Sequence, residues 1–215
     1  MRRSVAVGLM SLLMSATAAS ALDVTVAAYV EAQRAGAVGA VEGRAAEARR
    51  RPQEPDLPIA GASVLLVPRS VELLETLEGI RARSRTSAAA FTEAAPAVLR
   101  ARNAFEQTLW QAGAADLALA TAGDADGRFR IADVPAGAWV LVVTRSVHYQ
   151  VPRQKIAKRE QGVFMLPPQV TSFQAMTFWV RELNVTRAET VVVELTDRNV
   201  WFSGVVEEKA PSASR

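Results

Sequence analysis

The 215-residue chain carries 25 lysines and arginines against 22 acids, for a formal charge of +3; half its residues are apolar and it has no cysteine. That length and apolar content allow one substantial core or two small ones. The missing cysteines exclude disulfides, thiolate metal sites, a cysteine nucleophile and a lipid-attachment cysteine.

At the amino end, Arg2 and Arg3 precede an apolar run from Val5 to Met14 and an Ala19-Ser20-Ala21 cleavage pattern. This is the form of a secretory signal over residues 1–21, so the mature chain is expected to start near Leu22 and to be exported, periplasmic or secreted. The run of about ten apolar residues is far short of the roughly 20 that span a bilayer, and no later stretch approaches that length. No transmembrane segment is expected in the mature chain. Cleavage lowers the formal charge from +3 to +1, so the high pI reflects a near balance of arginine and acid. Nucleic-acid binding gains no support.

Val24, Val26, Ala28 and Val30 alternate and predict a strand over about 23–31, with another over about 38–48. Arg49 to Pro55 is polar and proline-containing, hence a solvated loop whose three arginines form a charged tip more readily than a polyanion site. Ile59 to Val67 predicts a strand closed by Pro68. From Ser70 the period becomes helical: Ser70 is an N-cap with Glu72 in the first turn, and Val71, Leu74 and Leu77 follow. After Ser84 to Ser87, a second helical stretch runs through Phe91, Ala95, Val98, Phe105 and Leu109. Pro96 should start a new helix or kink the existing one, and Gly113 should end it. The outcome is a helical hairpin over about 70–113, expected to dock its apolar stripe on the nearest core. Trp110 lies beside that stripe.

The stretch from Thr121 to Thr144 contains two strands and their turns. Asp124-Ala125-Asp126-Gly127 is turn chemistry. Phe129 and Ile131 alternate with Arg128 and Arg130, as in a half-buried strand. Val134 to Gly137 is a second turn, and Trp139 to Val143 is apolar on both faces, as in a strand packed on two sides. Together these form a hairpin-like unit. Beyond it, Arg145 to Gly162 predicts a basic solvated loop, Phe164 to Leu166 and Val170 to Val180 further β structure, and Glu189 to Leu195 and Val200 to Val206 the closing strands, before a disordered tail at 208–215.

The run T-x-G-D-A-D-G-R-F-R-I-x-D-V-P-A-G-A-W-V-L-V-V resembles the signature of the carboxypeptidase regulatory-like domain, a small transthyretin-like (prealbumin-like) sandwich with a carbohydrate-binding-like fold. Val41-Glu42-Gly43 with Leu57 to Leu66 is similar to that family's first two strands, and Val185 to Leu195 to its closing strand. The resemblance implies a mainly β protein, an antiparallel transthyretin-like β-sandwich over residues 22–207, into which the α-helical hairpin read from the periodicity is inserted. The insertion departs from the family, which has a short connection there.

The chemical inventory is sparse. His148 is the single histidine, so a two-histidine zinc site is excluded. No G-x-S-x-G elbow supports a serine triad, and no phosphate-loop motif is present. Asp124 and Asp126 open like a calcium loop, but its twelfth position falls on Pro135, so turn residues are the better reading and no metal or other cofactor is expected. The expectation is a non-enzyme: an exported sandwich with a structural or protein-interaction role in the bacterial envelope, its partner a protein or a cell-envelope polymer. The alternative is a carbohydrate- or peptide-binding module using exposed aromatics, with Trp139, Trp179, Trp201 and Tyr149 as ligand-binding candidates. It requires two or more of them coplanar on one exposed surface.

Overall fold

The computed structural model describes residues 23–49, 51, 55–150 and 170–209. The predicted signal, the Phe164 to Leu166 strand, most of the 49–55 loop, the basic stretch from Val151 to Gly162 and the tail from Ala210 lie outside the described residues.

Among the described residues the chain is mainly β, in two sheets. The first element departs from expectation: Val26–Arg34 is a helix, α1, where alternating valines predicted a strand. Its buried anchor, Tyr29, lies off the alternating positions. The Tyr29 ring meets the edge of Trp139 with centroids 5.1 Å apart, and its hydroxyl donates to the Ala138 carbonyl. Packing at one end of the sandwich therefore selects the helix over a weak period-two signal.

The smaller sheet centres on β1 (Val38–Glu47). Along one side it pairs antiparallel with β2 (Leu57–Pro58) and β5 (Arg128–Pro135). It also pairs with β8 (Thr190–Thr196), and that pair is parallel. The larger sheet runs in the order β4 (Leu119–Ala122), β3 (Ser63–Pro68), β6 (Gly137–Gln150), β7 (Val170–Val185) and β9 (Phe202–Lys209), antiparallel throughout.

β5 and β6, expected as a hairpin, belong to different sheets. The Pro135-Ala136-Gly137 corner carries the chain from one layer to the other, and Ala136 N–H donates to the Ala37 carbonyl there. Gly137 has φ of 153°, and a Cβ at that position would stand 2.7 Å from the Tyr29 ring, so only glycine passes. β6 also runs on to Gln150, through residues expected as a loop. β9 starts at Phe202 and continues to Lys209, into the expected tail.

Between β3 and β4 the chain forms α2 (Val71–Arg83) and α3 (Ala88–Gln111). Ser70 caps α2 by accepting from Leu73 N–H, and Ser87 caps α3 by accepting from Ala90 N–H. Pro96 lies inside α3, which neither restarts nor ends there. Gly113 follows the helix in the left-handed conformation, with φ of 70°. Ala94, Ala95, Val98 and Leu109 of α3 are buried. Ala95 packs so closely on β9 that a Cβ on Gly204 would lie 3.0 Å from its methyl.

The larger sheet is thus buried on both faces. Trp139, Leu141, Val143 and Trp179 share one face, toward the smaller sheet. Val140, Val142, Phe178 and Phe202 share the other, toward the helices. Among the described residues, no helix is long and apolar enough to cross a membrane.

Candidate functional site

The four aromatic candidates do not share a surface. Trp139 and Trp179 are fully buried, and each indole N–H is satisfied by a carbonyl, Pro135 at 2.9 Å and Thr196 at 2.8 Å. Trp201 is half-buried: its N–H donates to Glu78 at 2.8 Å, the Arg81 guanidinium lies 5.6 Å from its ring centroid, and it meets the edge of Phe202. It fastens α2 to the β8–β9 connection. Tyr149 is exposed, stacked on Phe173 with centroids 5.1 Å apart and planes 17° apart. The neighbours of Trp139 and Trp179 in sequence are apolar on both sides, which marks strands covered on both faces and places large aromatics in the core.

Asp124 turns inward on its own loop. Its Oδ1 accepts from the main-chain N–H of Asp126 at 2.9 Å and of Arg128 at 2.8 Å. Gly127, with φ of 70°, passes so near the Ala45 carbonyl that a Cβ would stand 2.2 Å from it. Among the described residues, no group of three or more His, Asp or Glu side chains could hold a metal ion. His148 is exposed near the end of β6.

A shallow groove of about 430 Å³ lies on the solvent face of the smaller sheet. Its walls are charged side chains in two rows across β8, β1 and β5. Glu194, Arg44 and Arg128 form one row, and Val192, Glu42 and Arg130 the other. Arg130 pairs with Glu42, and Arg44 Nε donates to the Asp126 carbonyl at 3.4 Å. Val192 is 71% exposed. The alternation of Arg128 and Arg130 is visible in the sequence. What brings them against Glu42 and Arg44 is strand register, which joins segments more than 80 residues apart.

A second exposed feature lies on α3. Trp110 is 70% exposed. It continues a helical face formed by Asn103, Ala104, Gln107 and Gln111, all exposed and uncharged.

No family model matches the chain, and no curated protein matches it. Solved structures do. One is a Pseudomonas aeruginosa protein described as a candidate carbohydrate binder, 12% identical, with 74% of this chain and 88% of that chain covered and a TM-score of 0.39. Another is a minor pilin of Streptococcus agalactiae, 10% identical, covering 83% and 48%, with a TM-score of 0.29. A third is the pilus backbone of Streptococcus pneumoniae, 14% identical, covering 74% and 40%, with a TM-score of 0.26. The aligned region spans less than half the length of either pilus chain.

Proposed function

We propose that this chain is a non-catalytic, exported β-sandwich module of the transthyretin-like kind, with a structural or protein-interaction role at the bacterial cell envelope. The observation that carries the reading is the exposed Trp110 near the end of α3, flanked on its face by the uncharged Asn103, Ala104, Gln107 and Gln111. Burying an indole is worth a large apolar area, and tryptophan is enriched among residues that dominate protein interfaces. A ring left 70% exposed on a helix whose opposite face is already packed has no role in the core. Its neighbours Asn103, Gln107 and Gln111 supply hydrogen-bonding groups without the cost of desolvating charge. The signal pattern at residues 1–21 supports export.

The test places a photo-crosslinking residue at position 110 in the tagged, secreted chain, with a control at Arg198. The chain is expected in the envelope fraction with residues 1–21 removed, and a discrete adduct is expected from position 110 only. Cytosolic retention with an intact amino end would refute export. Absence of an adduct at 110, or the same adduct from both positions, would refute the interaction face.

A further inference from the structure

The groove on the smaller sheet contains a pairing that folding alone does not favour. β1 and β5 set Glu42 opposite Arg130 and Arg44 opposite Arg128, all toward solvent, while Val41, Gly43, Phe129 and Ile131 turn inward. The first pair is complementary. The second is like-charged, and directly opposed side chains on an antiparallel pair have Cβ atoms only about 4.5–5.5 Å apart, where like charges are destabilising.

Three carboxylates, Glu42, Asp124 and Glu194, line the same groove, but none pairs directly with either arginine. Glu42 is engaged by Arg130. Asp124 accepts from main-chain N–H groups. Asp126 meets Arg44 through its carbonyl, and that contact draws the Arg44 side chain toward the β4–β5 turn, on the side away from Glu194 of β8. Among the described residues, neither Arg44 nor Arg128 forms an ion pair.

We propose that Arg44 and Arg128 clamp a carboxylate of an acidic, uronate-type polysaccharide lying across the outer face of the smaller sheet. Guanidinium forks match carboxylate geometry, and a carboxylate between two of them turns mutual repulsion into two charge-assisted contacts. The rest of the groove matches a sugar chain. Glu42 and Glu194 are exposed or half-exposed acceptors for hydroxyls, and Val192 offers an apolar spot for a ring face. A protein partner fits less well, because the fully buried core of a stable protein interface is largely apolar, and among the described residues Val192 is the only exposed apolar side chain lining this groove.

The experiment titrates the secreted chain, by calorimetry, with a short galacturonate oligomer, a neutral glucose oligomer of the same length and a polyglutamate peptide of the same charge. The galacturonate oligomer is expected to bind, and to bind about tenfold weaker or worse to Arg44→Gln and to Arg128→Gln. Raising salt from about 0.1 to about 1 M, which shortens the screening length from about 10 to about 3 Å, should weaken it strongly. The glucose oligomer should not bind, and polyglutamate should bind at least about tenfold less well. Without ligand, Arg128→Gln should melt at the same temperature as the parent or higher. Failure of the galacturonate oligomer to bind, or equal binding to the variants, overturns the clamp. Equal binding of polyglutamate overturns the polysaccharide and assigns the clamp to acidic peptides. A lower melting temperature for Arg128→Gln shows that the pair supports the fold and overturns the argument from repulsion.

Discussion

Thr144 lies in β6 between Ser63 of β3 and Phe178 of β7. Its hydroxyl is buried and, among the described residues, has no hydrogen-bond partner. An unsatisfied buried hydroxyl forfeits its hydration without recovering a bond, and valine fills nearly the same volume without that loss. Thr144→Val is therefore expected to stabilise the chain by about 1 kcal/mol, or about 2–4 °C in melting temperature for a domain of this size. A lower melting temperature on calorimetric scanning would contradict this.

Asp23 acts at the same scale. Its carboxylate accepts from Glu72 N–H at 3.0 Å, at the start of α2. Partial burial pushes its pKa upward, but hydrogen bonds from Glu72 N–H, the Ser70 side chain and Val71 N–H outweigh that, and the net direction is down from its ordinary 3.8. The folded state thus favours the ionised form. The stability this contributes is complete above the ordinary value and disappears as pH falls through the lowered one. Asp23→Asn should lower the urea midpoint at neutral pH and flatten its decline below about pH 4; an unchanged acid limb would show that the capping contact is not formed in solution.

Among the elements, α3 holds a proline where a helix tolerates it least. Pro96 has no N–H for the Thr92 carbonyl, and its ring crowds the preceding turn, at a cost of about 3 kcal/mol in an unconstrained helix. The helix continues because Ala94, Ala95 and Val98 are buried around that turn, so tertiary packing offsets the local penalty. Pro96→Ala is expected to raise the denaturant midpoint by roughly 1–3 kcal/mol equivalent with an unchanged m-value. A loss of stability would mean that the sheet requires a bend that only proline supplies.

The corner between β5 and β6 shows a different relation between local and distant forces. Pro135 and Gly137 specify that the chain turns. Whether the turn closes a hairpin or changes layers depends on partners elsewhere. β5 takes β1, and β6 takes β3 and β7. Tyr29 of α1 packs on the glycine itself.

For the whole molecule, the helical pair is a third layer. Phe178 and Phe202 stack at 6.2 Å beneath α3, and Phe91 meets Phe202 at 6.1 Å. Replacing residues 70–113 by a short turn would expose the outer face of the larger sheet, including Leu65, Val67, Val142 and Phe178. Such a patch exceeds what monomeric soluble proteins leave in water. The shortened chain is expected to aggregate or to bind a hydrophobic dye strongly; a monomeric, cooperatively melting product would show that the two-sheet body stands alone.

Much of the strand and helix content was legible in the residues themselves. Turn chemistry at Asp124 to Gly127, the cap at Ser70, the break at Ser84 to Ser87, the stop at Gly113 and the double-faced apolar run at Trp139 to Val143 all act through neighbouring residues, and neighbours are what a sequence displays. Those same local signals misjudged α1, because alternating small apolar residues serve either period and only the distant Trp139 chooses between them. They also could not place the aromatics: an indole in a strand is core or surface according to which layers lie above and below it. The charged groove lay further still from view. Arg44 and Arg128 become opposed only when β1 and β5 adopt one register across most of the chain, and register is decided by which faces the assembled layers bury.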